Sequence, residues 1–337
     1  MTGSFPILMF CPPNLTDAVM ASGLLARLKA EVPKAAFTLA GLPEVLPLFR
    51  DLHPEVRLLP VSPDPLGLHW LRAWASVSSV RWGLILDAWG TPLLPWLRAV
   101  KRARYTDLIP GFNEVGQLIE HQVVNYARLL KLEADPPSPA LSVSEETRAE
   151  ARALLGGQGP ILAVAPGADW SGRQWPAERF AALAAHFLRA DGPMAGGRLL
   201  ILGDELHRDA AQSVRLATLR SQTIDLTARV DPLLAYACLQ QARMFVGCDN
   251  LWLHLAAAAG IPALGVFGPS DEAISGPWGA QAKIVRGPRT FQDYLAADPG
   301  LNQAVGHMMD IRLETVAEAA LALFEQTETN GGDFPDL

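Results

Sequence analysis

Apolar residues run without interruption through positions 6–11, stop at Pro12-Pro13, and then recur at helical spacing as Val19, Leu24, Leu25 and Leu28 before a second apolar run at 36–40. Short continuous runs predict strands buried on both faces, and the three- and four-residue spacing between them predicts an amphipathic helix. Further strands are predicted at 56–61 and 83–87, so the first half alternates as a doubly wound parallel sheet does. At Asp135-Pro-Pro-Ser-Pro139 the prolines remove donors and hold the backbone extended, which predicts a linker. A helix over 144–155 follows, with Ser144 as its cap and Glu145 and Glu146 in its first turn, ending at Gly156-Gly157. From Pro160 the alternation resumes, with strands predicted at 161–165, 199–202, 223–225, 244–246 and 263–267 and helices at 177–189, 207–220 and 232–241. The pattern therefore predicts two α/β domains, 1–140 and 141–326, and a frayed tail over 327–337.

Composition agrees with two ordinary cores: 337 residues are half hydrophobic and 19% charged. The net charge is −7, divided as +1 over residues 1–140 and −8 over the remainder, which argues against nucleic acid as a partner and leaves the first half open to an anionic one. Cys11, Cys238 and Cys248 are too few for a disulfide framework or a cysteine zinc site, and they imply a reducing, cytoplasmic setting. The first apolar run lacks a preceding basic residue, and the stretch 251–268 is broken by His254, Gly260, Pro262 and Gly265; neither a signal peptide nor a membrane span is expected.

Fingerprints for dinucleotide redox chemistry, Walker-type NTP hydrolysis, hydrolase triads and zinc peptidases do not occur. The informative stretch is 245–271. Asp249 or Asn250 can cap a helix that runs to Ala259, Gly260 supplies a left-handed stop, and Pro262 prevents continuation. That helix starts at the carboxyl end of a strand, where unpaired N–H groups and the helix dipole suit a phosphate. On local sequence alone, Asp249 acting only as a cap and His254 only as packing is the favoured reading.

The same stretch resembles the signature of glycosyltransferase family 9, the ADP-heptose:lipopolysaccharide heptosyltransferases: D-[ST]-G-x-x-H-L-A-A-A-x-G-x-P, then F-G-P-[ST]-D and G-P-[YW]-G. Here these read Asp249 to His254-Leu-Ala-Ala-Ala, Gly260-Ile-Pro262, Phe267-Gly-Pro-Ser-Asp271 and Gly276-Pro-Trp-Gly279. The segment from Ala165 to Pro176 resembles the family's P-G-A…K-x-W-P loop, and Asp225-Leu-Thr opens its D-L-[TA]-G segment.

The resemblance implies the GT-B architecture, two Rossmann-like domains facing across a cleft, and an inverting sugar transfer without a bound metal or other cofactor. It places the donor nucleotide, an ADP-sugar, on Gly167, Ala168, Ser171, Arg173, Glu205, His207, Asp249, Asn250, Leu251 and His254, with Arg173 at the family's lysine position. A guanidinium keeps the charge that stabilises a leaving diphosphate. Asn14 to Met20 resembles the family's x-I-G-D-x-[VL] turn and puts Asp17 at the catalytic aspartate, the general base for the acceptor hydroxyl. The implied acceptor is an anionic glycolipid or polysaccharide precursor, with peripheral contact at the inner membrane; the basic run Arg98, Lys101, Arg102 and Arg104 suits such a partner or else is a solvated helix face. Departures from the pattern are Thr16 for glycine, Asn250-Leu251 for [ST]-G, and His207 for the glutamate that faces the donor ribose. They leave two alternatives, a catalytically degenerate binding or scaffold protein and a metal-free sugar epimerase. Trp70, Trp74, Trp82, Trp89 and Trp96 are expected to be core rather than a sugar platform.

Overall fold

The computed structural model describes residues 5–111, 118–301 and 306–329. Its chain divides into two compact units, Met1–Ser144 and Glu145–Leu337. In the first, strands β1 (Phe5–Phe10), β2 (Ala35–Gly41), β3 (Arg57–Pro60), β4 (Trp82–Asp87) and β5 (Ala99–Arg104) pair in parallel in the order β3-β2-β1-β4-β5. Helices α1 (Leu15–Glu31), α2 (Leu68–Val77) and α3 (Gln122–Ala127) complete the unit. β1 reads as a continuous apolar run because it is central: Leu8 and Phe10 join Ala40, Ile85 and the α2 residues Ala73 and Val77 in one cluster. Trp82 lies in that cluster, while Trp70, Trp74 and Trp89 pack against it; Trp96 is 74% exposed. The basic run forms edge strand β5, not a helix face, and Arg104 turns inward to the buried Asp87.

The proline segment is docked rather than free. Ala140 N–H donates to the Ser22 hydroxyl at 3.0 Å, Lys29 Nζ donates to Ser142 Oγ at 3.0 Å, and Ser144 N–H donates to Asp51 Oδ2 at 2.8 Å. Gly23 is required at the crossing, since a methyl there would overlap the carbonyl oxygens of Pro137 and Ser138.

In the second unit, β6 (Ile161–Ala165), β7 (Arg198–Ile201), β8 (Thr223–Asp225), β9 (Met244–Cys248), β10 (Ala263–Phe267) and β11 (Ala282–Arg286) form a parallel sheet in the order β11-β10-β9-β6-β7-β8. Its helices are α4 (Glu145–Leu155), α5 (Ala177–Leu188), α6 (Arg208–Leu216), α7 (Pro232–Leu239), α8 (Leu251–Ala258), α9 (Glu272–Ser275), α10 (Phe291–Ala297) and α11 (Leu313–Thr329). β11 escaped the sequence reading because it is an edge strand with exposed and half-buried residues and no apolar run. The expected tail begins inside α11, where Arg243 Nη1 donates to Thr327 Oγ1 at 3.2 Å; 330–337 lie outside the described residues. No described helix is long and apolar enough to cross a membrane. The three cysteines are free, and burial pushes their thiols up to about 12.

Replacing Gly23 with alanine should push the 137–138 segment off α1 at a cost of about 1–3 kcal/mol. Urea unfolding followed by the first unit's tryptophans would show it as a lowered midpoint; an unchanged midpoint would mean the docked segment contributes nothing.

Candidate active site

Each sheet reverses its winding once, between β1 and β4 in the first unit and between β6 and β9 in the second, and the carboxyl ends of those strands are where open α/β sheets receive ligands. In the second unit β9 delivers Asp249 to that edge. Its side chain is 9% exposed, with Arg173 Nη1 3.7 Å from Oδ2 and His254 Nε2 3.7 Å from Oδ1. The Ser270 hydroxyl, short of a full hydrogen bond, faces the same carboxylate. Burial pushes this carboxyl upward, but His254, Arg173 and Ser270 outweigh it and hold it below the usual aspartate value. Asp249 is therefore a buried anion that gathers three side chains, not the helix cap.

Asn250 is the cap. Its Oδ1 accepts from the N–H groups of Trp252 and Leu253 at 3.0 and 3.2 Å, and its Nδ2 donates to the Gly167 carbonyl at 2.7 Å. Two of the amides at the start of α8 are thus already satisfied, and the residue that satisfies them ties this helix to the loop after β6. Trp175 anchors the same loop, with Nε1 donating to the Ile311 carbonyl at 2.8 Å and its ring fully buried. Arg173 ends a single 3₁₀ turn with Ser171, which is exposed; its guanidinium is partly exposed and its Nε is buried without a partner among the described residues. Ala168 packs against the core and Leu251 is half-buried.

His207 does not face solvent. It is 3% exposed beneath Gly167, where a methyl would strike its ring, and with Asp204 it closes a capping box at the turn before α6. Asp204 Oδ1 lies 3.0 Å from its Nδ1, and Asp169 Oδ1 lies 3.6 Å from its Nε2, which has no hydrogen bond. Among the described residues this trio alone brings metal-ligand atoms within 4.8 Å of one another. The carboxylates address opposite nitrogens of the ring, which holds the imidazole in place rather than converging on one ion. Glu205 is exposed and pairs with Arg208 at 2.6 Å.

In the first unit, Asn14 caps α1, and Asp17 stands three residues on. Asn14 Nδ2 donates to Asp17 Oδ2 at 2.7 Å and Gln122 Nε2 donates to Oδ1 at 3.2 Å. The Tyr105 hydroxyl donates to Gln122 Oε1 at 2.6 Å, and its ring stacks on Tyr126 at 4.6 Å. Burial, then the charge of Asp17, pushes Tyr105 up to about 12, so its phenol stays a neutral donor. Gln122, Tyr105, Tyr126 and Ser270 were missed in the sequence. Ser270 alone carried a signal, being part of the F-G-P-[ST]-D match.

Two of the replaced glycine positions are unstrained, since Thr16 and Leu251 lie in regular helix with φ below zero; the third, Ala228 at the glycine of the D-L-[TA]-G segment, has φ 53°. Ala228→Gly should raise stability by about 1 kcal/mol, read by urea titration. Asp249→Asn should cost about 2–3 kcal/mol at neutral pH by leaving Arg173 and His254 without their anion. Because the native carboxyl titrates below its unfolded value, the stability it contributes is complete above the aspartate range near pH 4 and is lost as pH falls through the lowered native value. Melting curves of the two proteins should accordingly converge toward pH 3; parallel curves would show that the carboxylate's charge plays no part.

The model of glycosyltransferase family 9 (heptosyltransferase) matches residues 114–296. A lipopolysaccharide heptosyltransferase 2 of Salmonella typhimurium is 23% identical, over 83% of this chain and 87% of the relative. Among solved structures, ADP-heptose lipopolysaccharide heptosyltransferase II of Escherichia coli superposes with TM-score 0.73 at 20% identity, covering 96% of this chain and 99% of that one. A family 9 glycosyl transferase of Veillonella parvula gives TM-score 0.74 at 17% identity, covering 97% and 99%. The matched region spans more than half the sequence and takes in Arg173, His207, Asp249, His254 and Ser270. The chain belongs to glycosyltransferase family 9, the heptosyltransferases, and is a glycosyltransferase of the GT-B fold class.

Proposed function

We propose that this protein transfers a heptose or similar sugar from a nucleotide-sugar, an ADP-sugar by resemblance, to a lipopolysaccharide or polysaccharide precursor. The observation that carries the reading is the buried Asp249 holding Arg173 and His254 at the β6/β9 edge, beside a loop pinned by Asn250. Arg173, whose guanidinium is partly exposed, offers N–H groups to the oxygens of a diphosphate. Transfer goes by direct displacement with inversion: the acceptor oxygen bonds to the anomeric carbon as the bond to the diphosphate breaks. Asp17 takes the proton of the acceptor hydroxyl. Its carboxylate is held by Asn14, Gln122 and the Tyr126 hydroxyl, which fixes its orientation. The guanidinium supplies the charge that a metal supplies in other transferases, so the reaction needs none. An anionic glycolipid acceptor, and a peripheral approach to the inner membrane face, fit the exposed Arg98, Lys101 and Arg102. The degenerate-scaffold alternative rests on the replaced glycines and on His207; the backbone at Thr16 and Leu251 is unstrained, and His207 lies buried beneath Gly167.

With an ADP-sugar donor and a purified lipid precursor, Asp17→Asn should lower kcat by about 10²–10⁴-fold and leave ADP affinity unchanged. The wild-type rate should be the same with and without EDTA. Full activity in Asp17→Asn would remove the aspartate from the mechanism, and loss of activity in EDTA would remove metal independence.

A further inference from the structure

At the far side of the second sheet, away from the β6/β9 edge, the chain leaving β8 and the exposed flank of α6 enclose a separate pocket of about 210 Å³. Arg208, Gln212 and Arg215 line it from α6, at the spacing that places residues on one helix face. Asp225, Thr227 and Arg229 line it from the β8 exit.

Its charges do not balance internally. Arg215 Nε lies 3.6 Å from Asp225 Oδ2, and Arg208 is engaged outside the lining by Glu205. Arg229 is exposed and makes no ion pair among the described residues. Three guanidiniums thus face one carboxylate, which also accepts the Thr227 N–H at 3.1 Å. The second irregularity is Thr227 itself. Its residue is 5% exposed, yet its hydroxyl has no hydrogen-bond partner among the described residues. Its methyl is turned toward Gly203, the side on which a Cβ there would meet it at 3.3 Å. An unpartnered buried hydroxyl costs roughly 1–3 kcal/mol unless something in the pocket accepts from it. The left-handed Ala228 holds Thr227 and Arg229 in this arrangement at a further conformational cost.

We infer that this pocket is an anion site for a phosphoryl group, separate from the diphosphate position proposed at β6/β9. A tetrahedral dianion matches two or three guanidinium forks and accepts from a hydroxyl and an amide, which is what the lining presents. The inference stands whether or not the transferase reaction is as proposed, because none of these six residues is assigned to it. The phosphoryl group has two sources, a free phosphate or a phosphomonoester at the ribose end of a nucleotide. β8 lies two strands from β6, about 10 Å away at the usual strand spacing.

The experiment is calorimetric titration of the intact protein with inorganic phosphate at constant ionic strength set by chloride, alone and with saturating ADP. Wild type should bind one phosphate, and Arg229→Gln should weaken it about tenfold or more, as expected for loss of a charged hydrogen bond. Thr227→Val removes the unpartnered hydroxyl, so it should raise the melting temperature of the unliganded protein while also weakening phosphate. Additive binding of phosphate and ADP supports the site with free phosphate as its ligand, and mutual exclusion supports it with the nucleotide reaching into it. Phosphate binding that is absent in wild type, or unaltered in both variants, overturns the inference.

Discussion

A single buried carboxylate organises the second unit's ligand edge. Asp249 would be costly to leave alone away from water, and the cost is offset by drawing Arg173 from one loop, His254 from the next turn of a helix and Ser270 from the loop after β10. Removing water from the carboxylate strengthens its hold on each partner, so three separate chain segments are fixed relative to one another by one anion. The guanidinium pays part of this charge to Asp249 and still keeps an unpartnered Nε. A guanidinium fork can address two anions at once, whereas an ammonium is a single point charge.

The first unit solves a related problem by different means. Asp17 is held by the neutral donors Asn14, Gln122 and Tyr126, and Gln122 is itself oriented by the Tyr105 hydroxyl. Neutral donors position a carboxylate without neutralising it, which is the requirement for a base. The two carboxylates thus differ in their partners, ion-paired for Asp249 and held by neutral donors for Asp17, as the proposed mechanism requires of a base.

Substituted motif residues also acquire physical meaning. Asn250 replaces a serine or threonine and still caps α8, because its amide accepts two N–H groups and donates to the neighbouring loop as well. His207 stands where the family pattern has glutamate and lies buried under Gly167, held by Asp204 and Asp169. The arginines of α6 and the β8 exit line one pocket, and Ala228, beside Arg229, adopts the left-handed conformation without being glycine.

Local sequence was sufficient for most of the framework. The apolar runs at β1, β6, β9 and β10 are legible because central parallel strands are buried on both faces, and the motif around Asp249 and His254 is contiguous enough to identify the family. Edge strands were less legible: β11 has no continuous apolar run, and the basic residues of β5 read as a helix face because one side of that strand meets solvent. Which of two adjacent residues caps α8, that the proline segment lies against Gly23, and that Gln122 reaches Asp17 across 105 positions were decided only by tertiary packing. Periodicity reports how a residue meets its own element's buried face, and carries no record of which distant polar group will arrive to satisfy it.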